Sequence, residues 1–523
     1  MTPEMLLALR DPAGVPSHPL VFLVLGVLTF ALHIAAVQVM LGAGALTLRG
    51  AFSASTYWRR LAAAMLTTSK IAVSVAIVLG VAPLLFVQVV YDPFWYTSNV
   101  LSAWWVIGFI GILIVGYIAL YVFYWKNHDI VKEGGRGGVW MVASLALLLA
   151  VGFIVHSLTN QMLFPEQWMA WYAPGGVVQP DGHSLHYWNL PRFGFFIALA
   201  APVTGAWLYA YRRYLQGSAQ PDVAYIAWLA PLAQKLMLVG GVVAVLLGAA
   251  WMATLPAKMA WFAVSPWSLI ALLALLATVA LPLLLRGRLD RGYWGYAIFG
   301  AGAVALIVVG AAREVLRYVT LAGTHGYDAL DYRINMDWYS TALFFSTFGV
   351  LGAVTLGYLL TIAWQAGQTQ GTYTPSPAIN RLGSVAIGLL VVWTAVYFGV
   401  GLFCADALNM KHLLFQGAAV LLLGVAGAAG AQTAKPAATP PAVSGEAMAH
   451  SCAACHGTQG RLGDESFMPL AGMPVAQFVT TMKDFREGRR PATLMGLVAR
   501  GFSDADIQAM AEFFAAVQPQ ERK

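Results

Sequence analysis

The sequence predicts an all-α protein: a polytopic transmembrane helical bundle of about 10–11 spans followed by a small helical domain. Three observations carry this reading. Hydrophobic residues make up 59% of the 523-residue chain and charged residues only 10%, against about a quarter charged in a soluble protein. Apolar runs close to the roughly 20 residues that cross a bilayer recur along residues 20–404. From residue 449 the pattern turns amphipathic and charged, and no strand-like alternation is found anywhere. The net charge of +7 sits mostly on loop Arg and Lys, so it reports topology and gives no sign of nucleic-acid binding. The 18 Trp suit anchors at the lipid–water boundary. Of the three cysteines, Cys452 and Cys455 share one motif and Cys404 closes an apolar run, which leaves no disulfide framework.

Taken in order, the apolar runs lie at 20–46, 61–90, 99–125, 138–163, 192–211, 229–254, 263–285, 292–312, 338–364 and 382–404, with a shorter one at 413–431. Residues 432–448 are rich in Ala, Pro and Thr, the composition of a flexible or semi-extended linker. The expected organisation is a membrane domain at 1–409, a distinct segment at 410–431, the linker, and a soluble domain at 449–523. Basic residues set the orientation. Arg49, Arg59, Arg60, Lys126, Lys132, Arg136, Arg212, Arg213, Arg286, Arg288, Arg291 and Arg381 fall on alternate connections, which should be cytoplasmic. The opposite side holds fewer: Arg10, Arg192, Lys258, Arg313, Arg317 and Arg333. The N-terminus is then outside, and so is the chain near Cys404 after ten crossings.

An eleventh crossing would carry everything after residue 431 to the cytoplasm. Yet Met410-Lys411-His412, the apolar stretch that follows and Ala429-Gly430-Ala431 have the form of a secretory signal peptide. The segment 410–431 is therefore either signal-peptide-like, the seam between a membrane unit and a secreted unit, or an eleventh transmembrane helix.

Cys452-Ala453-Ala454-Cys455-His456 is the attachment signal for c-type haem. Each thiol adds to a vinyl group, and the adjacent His456 is held beneath the iron. A zinc site would require further Cys or His nearby, and none follows His456. A thioredoxin-type pair would require a βαβ context. A Met thioether opposite the His suits electron transfer, and the candidates are Met468, Met473, Met482, Met495 and Met510. The stretch CAACHGTQG, then MPLAGMP, then FREGRRPATLMGLVARGFSDADIQAMAEFFAAV resembles class I cytochromes c. It looks closest to the cytochrome subunit of flavocytochrome c sulfide dehydrogenases and to c4-type cytochromes. The resemblance covers 446–518 and implies that Met495 is the sixth ligand. Helix 503–517, with Ile507, Met510, Ala511, Phe513 and Phe514 on one side, has an apolar face to pack inside such a domain.

Histidines inside a span are costly and usually functional. His33 lies near the middle of the first span and His156 toward the outer end of the fourth; both are candidate ligands of a haem b iron. The loop between the fourth and fifth spans, with His183, His186, Trp168, Trp171, Tyr172, Tyr187 and Trp188, is a candidate rim for a quinone site or an interfacial aromatic belt. Lys70 and Gln88 are further polar residues within the second span. Arg313, Glu314 and Arg317 are placed to pair among themselves or to meet a haem propionate.

The order of several residues resembles subunit I of cytochrome bd quinol oxidases, mostly over 20–215. These are His33, Tyr57-Trp58-Arg59-Arg60 leading to Gly80-Val81-Ala82-Pro83, Asn160, Pro165 and Pro191-Arg192. Two departures count. The fifth span reads Phe193-Gly194-Phe195-Phe196 where that family has a haem b His, and residues 99–125 lack the acidic residues of its third span. The resemblance thus implies a quinol-reactive or single-haem module and argues against an intact oxygen-reducing site. The expected activity is electron transfer between a quinone pool or membrane haem b and a periplasmic monohaem cytochrome c, with sulfur-compound oxidation as the setting. Expected partners are membrane lipid, quinone, a periplasmic flavoprotein or cytochrome, and further membrane subunits. The expected location is a bacterial inner membrane. A divergent bd-type oxidase subunit and a transporter or scaffold joined to a cytochrome are the alternatives.

Overall fold

The computed structural model describes residues 7, 9–179, 181–218, 220–369, 372–404, 444–461, 468–491 and 495–519. Among them all regular structure is helical, apart from an isolated bridge between Val15 and Ile334. The chain divides into two compact units, Met1–Leu408 and Asn409–Lys523. Segment 410–431 and most of the linker lie outside the described residues.

Among the described residues the first unit has ten helices long and apolar enough to cross a membrane, as the hydropathy pattern predicts. They are α1 (Pro19–Ala51), α2 (Thr56–Val90), α4 (Ala103–Lys126), α5 (Gly138–Gln161), α6 (Leu190–Gln216), α7 (Val223–Ala253), α8 (Pro266–Leu284), α9 (Trp294–His325), α10 (Ser340–Gln368) and α11 (Pro377–Cys404). A short α3 (Asp92–Val100) intervenes after α2. It corrects the predicted start of the third span from 99 to 103. Tyr91 leaves helical geometry, Asp92-Pro93 restarts the chain, and Ser102 precedes α4.

Two ends run further than the apolar windows. α2 begins at Thr56 because Tyr57, Trp58, Arg59 and Arg60 suit the lipid boundary: Arg49 lies 5.0 Å over the Trp58 ring and Arg60 pairs with Asp222 at 2.5 Å. α9 continues past residue 312 to His325, where Gly326 in the left-handed region ends it. Arg313, Glu314 and Arg317 therefore sit within a helix.

Helices approach closely where small residues permit it. α6 lies against α7 at Gly205, where a Cβ would stand 2.7 Å from the Ala233 carbonyl oxygen and 3.0 Å from the Met237 nitrogen. The core runs between α1, α2, α5, α6, α7 and α9, and includes Met40, Val73, Tyr91, Phe94, Trp251, Leu316 and Tyr327. α10 and α11 pack mainly on each other, and α10 also meets the rest of the unit, through Trp364, whose ring lies edge-on to Tyr214 at 5.0 Å, and through Thr341, which donates to the Pro16 carbonyl.

The face of the bundle that bears residues 9–18 is closed by polar contacts. Arg10 lies 4.2 Å over the Tyr327 ring, Tyr332 donates to Asp92 at 2.7 Å, and Lys258 pairs with Glu166 at 2.8 Å. Burial pushes the Asp92 carboxyl above its ordinary range and the Lys258 ammonium below its own.

In the second unit, α12 (Gly445–Ala449) leads through a tight turn into α13 (Ala453–His456), followed by α14 (Val475–Arg486), α15 (Met495–Arg500) and α16 (Asp504–Ala516). Ser444 caps α12, and Ser503 with Asp506 forms a capping box on α16. The core comprises Ala449, Leu470, Met473, Phe478, Met482, Ala499, Ile507, Met510, Ala511 and Phe514. α12 crosses α16 so closely that a Cβ on Gly445 would strike the Ala509 carbonyl. A backbone oxygen inside a helix cannot yield, so Gly445→Val should cost about 1–3 kcal/mol. It should lower the denaturant midpoint for unfolding of the second unit in the full-length chain.

A second expectation concerns acid. Lys483 and then Arg486 hold the exposed Asp504 carboxyl below its usual range, at 3.0 and 2.5 Å. A depressed carboxylate stabilises above its unfolded pKa and loses that contribution as pH falls through the folded value. Asp504→Asn should therefore lower the unfolding midpoint at neutral pH and match the parent chain in strong acid. An equal offset at every pH would show that the pair contributes nothing by charge.

Candidate haem site

Cys452, Cys455 and His456 fall at i, i+3 and i+4 of one continuous helical run, a spacing that sets the three positions along one side of it. Gly457, at φ 76°, turns the chain away immediately after the His. The next turn is tied down by Gly460, whose carbonyl accepts from the Leu470 and Ala471 amides at 2.9 and 3.1 Å. That tie brings the 468–471 segment back over the motif. His456 Nδ1 then lies 2.7 Å from the Met468 carbonyl oxygen. Facing a carbonyl, Nδ1 must carry the proton, which places the imidazole lone pair on Nε2. The motif alone gives no hint of this partner.

The five methionines sort by burial. Met473, Met482 and Met510 are core residues at 8%, 3% and 0% exposure, so their thioethers are already engaged in packing. Met468 is 53% exposed and contributes its backbone to His456. Met495 opens α15 at the edge of the core, half-buried among its partly covered residues. Of the five, it alone is both at the core surface and only partly covered. The residue set fits a covalently attached haem: two thiol positions, an oriented imidazole, and a thioether at the core's edge.

In the membrane unit His33 and His156 share no hydrogen-bond partner among the described residues. The His33 ring packs against α2. Its Nδ1 is 2.8 Å from the Ala76 carbonyl oxygen, and a Cβ on Gly80 would stand 2.8 Å from its Cε1. A carbonyl again fixes the proton on Nδ1. His156 is held differently, with Nε2 3.2 Å from both the Asn189 amide and the Asn160 side-chain nitrogen, between Phe153 and Phe193. His186 stacks on Trp171 at 5.0 Å and meets the Leu101 carbonyl at 3.1 Å, while Trp105 donates to the His183 carbonyl at 2.5 Å. The loop bearing both is thus pinned to the bundle. Gln88 accepts from Tyr96 at 3.1 Å, and the Lys70 ammonium lies 3.7 Å over the Tyr124 ring. Among the described residues no group of three or more His, Cys, Asp or Glu is arranged to hold a bare metal ion.

The chain is 40% identical over 83 residues to the cytochrome subunit of sulfide dehydrogenase of Chlorobaculum tepidum, covering 16% of this chain and 74% of that protein. It is 33% identical over 78 residues to cytochrome c-554(548) of Halomonas halodenitrificans, 14% of this chain and 94% of that one. Against the thiosulfate dehydrogenase electron acceptor of Stutzerimonas stutzeri it is 42% identical over 73 residues, 13% of this chain and 34% of the other. It therefore spans about a third of that last relative. No family model matches the chain, and no solved structure does.

Proposed function

Because its C-terminal domain makes this chain a member of the cytochrome c family, we propose that it is a membrane-bound electron carrier working between a quinone pool, or a haem b in the bundle, and a redox protein in the periplasm. The observation that carries the reading is the His456–Met468 contact beside the two motif cysteines. When bound, haem c supplies a one-electron iron couple. Cys452 and Cys455 would hold it covalently, His456 would supply an imidazole ligand through Nε2, and Met495 would supply a thioether ligand.

His33 supports the membrane half of the reading. Its ring is oriented by the Ala76 carbonyl in the way that second-shell partners orient ligand imidazoles. Gly80, without a Cβ, leaves room for the ring beside α2. His156, whose Nε2 faces two nitrogen donors, is the weaker candidate ligand in this arrangement. The names of two relatives point to sulfide and thiosulfate oxidation as the setting, with a flavoprotein or another cytochrome as partner.

The test is anaerobic mixing of the purified chain with a short-chain quinol while the c-haem absorption is followed. Reduction should be rapid, and His33→Leu should lose the quinol-driven phase while ascorbate still reduces the haem. Reduction by ascorbate but never by quinol would overturn the quinone link and leave the carrier.

A topological expectation accompanies this. The basic loops place the N-terminal side outside, ten crossings return the chain to that side, and c-type haem belongs there as well. Residues 410–431 then do not cross once. N-terminal sequencing of the haem-stained band from the native host should read from Gln432. A full-length chain in which a reporter finds residues 366–380 outside would show a single eleventh crossing instead.

A further inference from the structure

Among the described residues Glu314 is the only Asp or Glu within the ten spanning helices, and it does not stand alone. Arg317, 3% exposed, pairs with it at 3.0 Å, and Tyr91 donates to its other oxygen at 2.9 Å. Two further guanidinium groups share the neighbourhood. Arg313 lies 4.2 Å over the Phe30 ring, and Arg192 lies 5.3 Å over the Trp251 ring. Phe196 joins those rings, at 6.2 Å from each. Arg192 is 7% exposed, and its Nε has no hydrogen-bond partner among the described residues. The group thus holds three cations and one anion. Arginine cannot relieve the imbalance by losing a proton, and a buried charge without a partner is not retained at no cost.

We propose that Arg192, Arg313 and Arg317 form a binding site for the oxyanion group of a membrane-borne amphiphile, a phosphate or a pair of carboxylates carried on an apolar body. The depth fits. Arg192 is the third residue of α6 and Tyr91 directly follows α2, so the site lies level with the ends of two spans, where head groups reside. The chemistry fits as well, because guanidinium forks bind phosphate and carboxylate bidentately. The aromatic wall supplies cation–π support and excludes water. Two sources share this chemistry: the phosphate of an anionic phospholipid, and the propionates of a non-covalent haem. Only the second source depends on the haem b part of the function proposed above.

The test uses the full-length chain purified in mild detergent, with native mass spectrometry for bound lipid and acid–acetone extraction for non-covalent haem. The parent chain should retain one anionic lipid or one extractable haem. Arg313→Gln and Arg192→Gln should each weaken that binding about tenfold or more, the worth of one charge-assisted hydrogen bond. Re-addition of phosphatidylglycerol to delipidated protein, or of haem, should raise the melting temperature of the parent and not of the variants. A bound phospholipid supports the phosphate source and leaves the electron-carrier reading untouched, since the covalent c haem is scored separately by gel stain. An extractable haem supports the carboxylate source. A parent chain with neither ligand, or variants that bind as the parent does, would overturn the site. So would variants that melt higher than the parent without losing any bound mass, because that is the response of an uncompensated cation.

Discussion

Cys455→Ala should abolish the covalent haem of this chain, so that a denaturing gel shows no peroxidase-stained band where the parent shows one. The expected effect is complete because the attachment signal is the whole Cys-x-x-Cys-His run that ends in His456, and the substitution destroys it. The parent band should contain residues 432–523 and carry a single haem, as one motif dictates. Absorbance of the pyridine haemochrome gives the same answer by another route: a c-type spectrum in the parent, none of that type in the variant. A stain that survives the substitution would refute attachment at this motif.

Met495→Ala should produce the largest shift in potential. Loss of a thioether ligand leaves water or a harder ligand on the iron, which favours the oxidised state. The midpoint should fall by on the order of 0.1 V, a modest part of the range that axial ligands span. The weak absorption band at the red end of the oxidised spectrum, characteristic of methionine ligation, should vanish. Met482→Leu serves as the control. Met482 is buried in the core at 3% exposure, so a volume-conserving change there should alter stability modestly and leave both band and potential in place. If the band persists in the Met495 variant, the ligand is another methionine.

Much of this architecture was legible in the sequence because bilayer thickness is a hard constraint. A run such as 138–163 could be little else than a span, and it is α5. What hydropathy misses are the ends, where charge enters a helix without ending it. The apolar window of the eighth span closes at 312, yet α9 runs on through Arg313 and Arg317 because Glu314, Tyr91 and aromatic rings receive them there. The third span shows the reverse: residues 99–102 are apolar enough to join it, but Ser102 donates to Gln161 and to the Ser184 carbonyl and so belongs to the loop. At the haem site, the motif named Cys452, Cys455 and His456 at once. Composition left five methionines open and the resemblance pointed to Met495; three of the five fill the core, and Met495 lies half-buried at its edge. The Met468 carbonyl and the Gly445 crossing have no sequence signal, because each depends on where a distant backbone atom comes to rest.

The group that orients His456 is a peptide carbonyl, which has no acid–base equilibrium in water's accessible range. Had a carboxylate stood there, its protonation would weaken the hydrogen bond and move the iron's potential with acidity. With the Met468 carbonyl in that position, this hydrogen bond itself has no group that titrates when an iron held by His456 would change oxidation state. The contribution of this contact to the potential should accordingly stay constant with pH wherever His456 remains the ligand, so any coupling of the carrier's electron to acidity must enter through other groups.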